Sequence, residues 1–162
     1  MYRNLLLLTF LLPLFASGQT NFNRHSIDSI VNAIDTDRTI IRKVYDTSSY
    51  EKEDGAANWD SLHVHREYYY KHGTIVKIIG WNKYGNWRND QVAYYYEGQP
   101  IKFSKGESFK GQPDHGALNF DIYYNKNQQI DVVWLTPKPD NVLGIATDIF
   151  LQWAYSLYKN AR

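Results

Sequence analysis

The feature that most constrains the fold is a tyrosine-rich segment that occurs three times. It reads "EYYYKHGTIVKI" from residue 67, "AYYYEGQPIKF" from residue 93 and "DIYYNKNQQIDVV" from residue 121. Each copy has a run of strand-forming residues, a short polar turn and a β-branched return run, which is the pattern of a β-hairpin. Aligning Tyr70, Tyr96 and Tyr124 gives repeats of 26 and 28 residues. Helical periodicity is absent from 61 to 135, so six strands are predicted there.

The segment before the hairpins predicts a short helix and one further strand. "SIDSIVNAID", 26 to 35, has apolar residues at helical spacing, with Ser26 or Asn23 as its N-cap. "TIIRKVY", 39 to 45, is rich in β-branched residues and is typical of a strand. The apolar stripe of the helix consists of Ile27, Ile30, Val31 and Ile34.

The end of the chain predicts a second helix and, with it, the fold class. Two prolines end the last strand, and Asp140 or Asn141 is expected to cap a C-terminal helix. We predict an α+β fold, a curved antiparallel meander sheet of six to seven strands with N- and C-terminal helices packed on it. The C-terminal helix is expected to cover one sheet face and the N-terminal helix to flank the same layer. The apolar face of the C-terminal helix consists of Val142, Ile145, Ala146, Ile149, Phe150, Trp153 and Leu157.

The first residues have the pattern of a cleaved signal peptide. Arg3 provides a positive charge, the stretch from 5 to 15 is apolar, and "ASG" at 16 to 18 is a small-residue cleavage pattern. We expect 1 to 18 to be removed and 19 to 162 to form a single domain. The apolar stretch is shorter than the roughly 20 residues of a spanning helix, so no integral membrane span is expected. The chain has no cysteine for lipid attachment, which predicts a periplasmic or secreted location.

Charge and cysteine content exclude several kinds of partner. Cleavage removes one charged residue, Arg3, and leaves 17 basic and 17 acidic residues. There is no basic patch of the kind that binds nucleic acid, and no polybasic segment that would attract a membrane surface. Without cysteine, disulfides and thiolate metal sites are excluded as well.

The tyrosines have two interpretations. On a strand, Tyr68 and Tyr70 share one face and Tyr69 takes the other. In a meander each tyrosine strand lies beside a β-branched strand, which is a favourable cross-strand pairing, so the tyrosines would build the sheet. Alternatively, some of the 14 tyrosines and five tryptophans form an exposed stacking surface toward sugars or peptides.

The hairpins, preceded by the "IDSIVNAID" helix, resemble a group of small exported bacterial proteins of uncharacterised function. In those proteins, hairpins of the form "YY-[KED]-x-G-x-[IL]-x-x-[IVF]" follow an N-terminal helix, and the resemblance covers 26 to 135. It implies the fold and the exported location, and it supplies no catalytic residues. The "Y-x-x-G" strands are also similar to those of MORN-type repeats, although the regular glycine spacing of those repeats is missing.

One strand has the spacing of a metal site. His63, His65 and Glu67 alternate in "HVHREYYY" and project from one face, and zinc accepts two imidazoles and a carboxylate. The alternative is that these three side chains form the solvated face of a strand. The opposite face would then belong to the core, with Leu62, Val64, Tyr68 and Tyr70.

A second candidate site is the segment "GWNKYGNWRND", 80 to 90, which we interpret as a loop between two hairpins. It concentrates residue types that are enriched at binding hot spots among glycine, asparagine and aspartate. The alternative is a long hairpin whose tryptophans pack over the sheet edge. The ligand-binding residues predicted on this segment are Trp81, Tyr84, Trp87 and Arg88.

These observations leave two classes of function open. The first is a non-catalytic envelope protein that binds a glycan, a peptide or a protein partner, with no cofactor. The second is a small metal-dependent or hydrolytic enzyme that uses the face of His63, His65 and Glu67. The sequence contains no nucleophile elbow, no His-Glu-x-x-His motif and no phosphate loop, which favours the first class.

Overall fold

The structure, a computed structural model, describes residues 21–49, 62–109, 118–138 and 145–161. The predicted signal peptide and the predicted helix caps Asp140 and Asn141 lie outside these residues. The described elements are α1 Arg24–Thr36, β1 Ile41–Ser49, β2 Leu62–Lys71, β3 Thr74–Tyr84, β4 Trp87–Tyr96, β5 Gln99–Phe109, β6 Asn119–Asn125, β7 Gln128–Trp134 and α2 Thr147–Asn160.

The seven strands form one antiparallel sheet in which each strand pairs with the next along the chain. One helix precedes this sheet, one follows it, and both pack on it. The predicted α+β meander is therefore confirmed. Within the part of the chain described here, neither helix has the length and apolar character needed to cross a membrane.

Asn23, one of the two N-cap residues predicted for α1, caps this helix through a capping box with Ser26. The side-chain oxygen of Asn23 accepts from the backbone N–H of Ser26, and the Ser26 hydroxyl oxygen accepts from the backbone N–H of Asn23, each at 2.9 Å. Two of the N–H groups that a helix start leaves without partners are thereby satisfied. The apolar stripe follows directly, and its first member, Ile27, is fully buried against the sheet.

The three tyrosine-rich hairpins share one turn geometry. In each two-residue turn both residues have positive φ, as in a type I′ turn, whose twist matches that of the flanking strands. Just before each turn the strand register shifts between two adjacent tyrosines. The turn pairs are His72 and Gly73, Glu97 and Gly98, and Lys126 and Asn127.

This geometry corrects the alignment of the repeats. Counted from the turns, Tyr95 is equivalent to Tyr70 and Tyr124, and the repeats are 25 and 29 residues long. The alignment on Tyr96 is wrong because the run of three tyrosines in the second copy ends one residue closer to its turn than the run in the first copy. Tyr96 occupies the position of Lys71 in the first copy, and it is exposed as Lys71 is.

Adjacent tyrosines point to opposite faces of the sheet, and each face is covered by a different helix. Tyr94 and Tyr123 are buried with Ile27 in a cluster under α1, whereas Tyr95 and Tyr124 are buried in a cluster that includes Ala154 of α2. The expectation that both helices lie in one layer is therefore wrong. Because the hairpin strands carry consecutive tyrosines, both sheet faces are largely apolar, and each needs its own cover.

The tyrosine hydroxyls connect the sheet to both helices. Those facing α2 donate to backbone carbonyl oxygens of α2 or of the residue that follows it, and those facing α1 donate to aspartate carboxylates of α1. The pairs are Tyr124 with Thr147 at 2.8 Å, Tyr95 with Ala154 at 2.7 Å, Tyr70 with Ala161 at 3.2 Å, Tyr123 with Asp28 at 2.9 Å and Tyr94 with Asp35 at 2.9 Å.

α2 begins later, and packs through a different stripe, than its sequence predicts. It begins at Thr147, because Ile145 and Ala146 are not helical and Ile145 packs against the core under α2. Ile149 and Trp153, expected on the buried face, are 46% and 40% exposed. The residues of α2 that pack on the sheet are Phe150, Leu151, Ala154, Leu157 and Tyr158.

The segment from 80 to 90 is not a loop. It consists of the end of β3 and the start of β4, joined by a turn at Gly85 and Asn86. The loop interpretation was wrong because glycine and asparagine are spread through the segment. Two of these residues, Gly80 and Asn89, lie within the strands and are buried. The alternative of a long hairpin is the geometry observed.

Candidate functional site

The structure brings together two of the four residues predicted to bind a ligand on the 80 to 90 segment. Trp81 and Arg88 lie on the α1-side face, with the guanidinium carbon 5.0 Å from the indole centroid. Trp87 neighbours Arg88 on β4, so its side chain points to the opposite face. The side chain of Tyr84 lies outside the described residues.

Both members of this pair have further partners. The Trp81 ring stacks on His65 of the neighbouring strand, with centroids 5.3 Å apart and planes 10° apart. The guanidinium of Arg88 donates to both carboxylate oxygens of Asp90, at 2.6 to 3.0 Å. The guanidinium of Arg88, a predicted ligand-binding residue, therefore already binds a carboxylate of the protein.

The predicted metal-binding face carries a network of ion pairs. His65 contacts the Asp46 carboxylate through Nδ1 and Glu67 Oε1 at 2.9 Å through Nε2. Glu67 also accepts two hydrogen bonds from Arg42, at 2.6 and 2.7 Å, and one from the Tyr69 hydroxyl at 2.6 Å. The network connects the exposed edge strand β1 to β2.

The network shifts two pKa values in opposite directions. Hydrogen bonds to Glu67 and to Asp46 raise the pKa of His65 above its ordinary value. The hydrogen bond from Arg42 lowers the pKa of Glu67 to about 2, helped by the bonds from Tyr69 and His65. Among the described residues, no group of three or more His, Cys, Asp or Glu side chains is arranged to hold a metal ion. His63 is exposed at the end of this face.

A pocket lies on the opposite face, between α2 and the middle of the sheet. Its volume is about 380 Å³, within the range of small-ligand sites. Strands β2, β3 and β4 form the floor, and the second half of α2 forms one wall. Its polar and aromatic lining consists of Arg66, Tyr68, Asn82, Gln91, Trp153, Ser156 and Asn160.

Arg66 is the charged group of this pocket. Its guanidinium donates from Nη1 to the backbone oxygens of His65, at 2.7 Å, and Trp81, at 3.1 Å, and from Nη2 to the side-chain oxygen of Asn82, at 2.8 Å. Burial lowers the pKa of Arg66 below its ordinary value, an effect that Tyr68 opposes. Within the described residues, no carboxylate pairs with this half-buried cation.

Gly80 makes room for the Arg66 side chain. A Cβ at position 80 would lie 2.9 Å from both Cδ and Nη1 of Arg66 and 3.1 Å from Nε. Real Cβ contacts are not that short, so any larger residue at Gly80 would displace the arginine. Position 80 is buried in the sheet opposite Arg66 itself, which explains a glycine in the middle of a strand.

Three further polar side chains face the pocket with hydrogen-bonding capacity to spare. Gln91 is 6% exposed, and its amide has no hydrogen-bond partner in the part of the chain that is described. The Ser156 hydroxyl and the Asn160 amide, both on α2, likewise have none there. The Gln91 amide therefore keeps donor and acceptor capacity that a molecule in the pocket can use.

Sequence reasoning missed Arg66 and Gly80, although one signal was present. In β2 the core-facing series of alternate residues runs Leu62, Val64, Arg66, Tyr68 and Tyr70. Burying a charged side chain costs several kcal/mol of free energy unless it is paired, so a charged residue in the same alternating series as apolar residues indicates a special environment. The pocket itself depends on which sheet face α2 covers and on which stripe of α2 packs there, and the sequence specifies neither.

Comparison with known protein families, with curated proteins and with solved structures finds no match to this chain. The class of protein is therefore defined by its own fold and site. It has one antiparallel seven-stranded sheet with a helix on each face, and a polar, arginine-containing pocket between the sheet and the second helix.

Proposed function

We propose that this protein is an exported, non-catalytic binding protein of the periplasm or the cell exterior, and that it binds a small polar group of a glycan or peptide in the pocket under α2. The observation that carries the proposal is Arg66, a half-buried cation without a carboxylate partner among the described residues. Three protein oxygens accept from it, but none of them neutralises its charge.

The energetics of burial support a binding role for Arg66. A charged group that leaves water loses several kcal/mol of hydration unless hydrogen bonds and an opposite charge replace it. Other cations on the described strands do have a carboxylate partner, as Arg42 has Glu67 and Lys102 has Asp121, at 2.6 and 2.8 Å. A negatively charged ligand would give Arg66 the opposite charge that the other cations have from a protein carboxylate.

The composition of the pocket supports binding without catalysis. Its lining offers an arginine, three amides, hydroxyls and an indole, and no carboxylate or imidazole among the described residues. Proton transfer at neutral pH usually relies on a group of those two kinds. The location is supported by the signal-peptide pattern at 1 to 18.

Filling the pocket is the test of the proposal. Ser156 is exposed on α2 at the pocket wall, so Ser156→Trp is expected to block the pocket and leave the fold intact. The wild type and this variant would be screened against an array of neutral and acidic glycans and against a set of short peptides. We expect at least one ligand that binds the wild type and not Ser156→Trp.

A matched control gives the screen its meaning. Gln152→Trp places the same indole one helical turn earlier, on exposed surface that does not line the pocket, and it should bind as the wild type does. If every ligand found binds both variants equally, the pocket is not the site. Trp81→Phe and Arg88→Ala would test the predicted pair Trp81 and Arg88 in the same screen. A ligand that binds at this pair should be lost in these two variants and should still bind to Ser156→Trp.

A further inference from the structure

We infer that the ligand of this pocket is a sugar acid, with its carboxylate on Arg66, its hydroxyls on the surrounding amides and its ring against Trp153. This inference rests on the proposed function and adds the chemical class of the ligand. It is carried by three features of the pocket: the unused donors of Arg66, the unpaired polar groups around them, and the position of Trp153.

Arg66 has the donors that one carboxylate needs. A guanidinium has five N–H groups. Both hydrogens on Nη1 and one on Nη2 are taken by His65, Trp81 and Asn82. Nε–H and the second Nη2–H have no acceptor in the described residues, and a carboxylate accepts two such hydrogen bonds together. The three protein acceptors and Gly80 fix the guanidinium in place before a ligand arrives.

The remaining polar groups suit hydroxyls better than a second charge. Gln91, Ser156 and Asn160 each offer both donor and acceptor capacity and carry no charge. A sugar hydroxyl is itself a donor and an acceptor, so such groups pair with it in either direction. Without cations beyond Arg66 among the described lining residues, the pocket favours a ligand with a single negative charge.

Trp153 supplies an aromatic surface at the pocket. It is 40% exposed, although an indole gains free energy from burial. Phe150 packs edge-on at 5.5 Å, and Lys105 lies 5.7 Å from the ring centroid, so the ring is held by its neighbours. A rigid, partly exposed aromatic ring stacks well on the apolar face of a sugar ring at little cost in conformational entropy.

The position of the pocket in the sheet disfavours a peptide. Strands β2, β3 and β4 each pair with neighbours on both sides, so the pocket floor offers no free strand edge to an extended chain. Among the described lining residues only Val64 and Leu157 are aliphatic, which leaves little apolar surface for a peptide side chain. The pocket volume of about 380 Å³ also fits a small ligand or one terminal residue of a glycan.

Calorimetric titration of the full chain tests the inference with matched probes. The sugar acids are D-glucuronate, D-galacturonate and N-acetylneuraminate, the neutral sugars are D-glucose and D-galactose, and the plain carboxylates are acetate and the dipeptide Ala-Ala. We expect at least one sugar acid to bind at least about tenfold more tightly than the neutral sugars, because a charge-assisted pair is lost without the carboxylate. It should also bind more tightly than either plain carboxylate.

Two variants locate the carboxylate contact. Arg66→Gln removes the charge, and Gly80→Ala displaces the guanidinium while the charge stays, so both should weaken sugar-acid binding at least about tenfold. Arg88→Gln is the control, since Arg88 lies on the other face and pairs with Asp90. Circular dichroism would verify that each variant is folded. If Arg66→Gln does not fold, Gly80→Ala still tests the carboxylate contact.

The possible outcomes separate the inference from the proposed function. If neutral sugars bind as tightly as sugar acids, or Ala-Ala binds more tightly, the ligand class is wrong while the pocket remains a binding site. If no probe binds but the array yields ligands lost in Ser156→Trp, the class is again wrong and the function stands. If nothing is lost in Ser156→Trp, both proposals are overturned.

Discussion

The Tyr95 hydroxyl donates a 2.7 Å hydrogen bond to the backbone carbonyl oxygen of Ala154 in α2, at a place where both residues are buried. Tyr124 and Tyr70 make the equivalent contacts to residues 147 and 161. The three acceptors are thus spaced seven residues apart, one for each hairpin.

The spacing has a geometric cause. Seven residues of α-helix advance about 10.5 Å, and strands of successive hairpins, two strands apart, lie about 9.6 Å apart. A helix that crosses the sheet therefore meets one hairpin every two turns. The same match holds on the other face, where Tyr123 and Tyr94 bind Asp28 and Asp35, also seven residues apart. The tyrosines join the sheet to its helices at a regular interval.

The first prediction tests this interval at one tyrosine. Tyr95→Phe removes the hydroxyl that binds Ala154 and should lower the free energy of unfolding by about 1 kcal/mol, with a fall of several degrees in Tm. Tyr96→Phe is the control, because Tyr96 is 39% exposed and its ring packs edge-on against Phe22 rather than against α2. Thermal denaturation of both variants measures the difference. Equal effects would contradict the structural alignment of the repeats.

The second prediction concerns the equivalent contact under α1. Asp35 accepts from the buried Tyr94 hydroxyl at 2.9 Å and pairs with Lys77 at 2.6 Å. In a double-mutant cycle measured by urea unfolding, Tyr94→Phe and Asp35→Ala should couple by about 1 kcal/mol. The Tyr123→Phe change, at the next hairpin, should add independently to Asp35→Ala. Coupling in both cycles, or in neither, would show that the two contacts are not separate units.

The third prediction is a loss of stability on the alkaline side. Hydrogen bonds to Glu67 and Asp46 raise the pKa of His65 above its ordinary value of 6.5. A group whose pKa is raised by folding stabilises the protein fully below its unfolded pKa and ceases to do so as the pH rises through the folded pKa. The free energy of unfolding should therefore fall from pH 6 to pH 9, and it should fall less in His65→Gln.

Glu67 acts in the opposite direction, which limits the pH range in which the network is intact. Arg42 lowers its pKa from 4.5 to about 2, so its contribution is present above pH 4.5 and is lost as the pH falls toward 2. Urea unfolding at several pH values measures both limits. The control is His25→Gln, an exposed position on α1, which should leave the difference between pH 6 and pH 9 unchanged. An identical pH profile in His65→Gln would disprove the role of His65.

The fourth prediction tests which stripe of α2 packs on the sheet. Leu151 packs against the core under α2, whereas Ile149 is 46% exposed. Leu151→Ala should therefore lower the free energy of unfolding by about 2 kcal/mol, and Ile149→Ala by less than about 0.5 kcal/mol. Chemical denaturation of the two variants decides between this stripe and the one that the sequence suggests. A larger effect at Ile149 would mean that α2 is rotated.

Local features of the chain were predictable because short-range chemistry determines them. The Asn23 cap depends on a side chain three residues from its partner, and each hairpin turn on a pair of residues that tolerates positive φ. Strand alternation likewise placed His65 and Glu67 on one face. For the same reason the seven-stranded meander followed from the order of its strands and turns.

Contacts between distant segments decided where α2 begins, at Thr147, and placed the two helices on opposite faces of the sheet. The apolar periodicity of a helix or a strand predicts that one of its faces is buried, but it does not predict which element covers that face. The pocket shows this most clearly, since it is the packing of Gly80 and α2 around Arg66 that distinguishes this arginine from a solvated one. Local propensity thus determined the elements of this protein. Packing across the sheet, where burial and desolvation act over the whole fold, decided its faces and its candidate site.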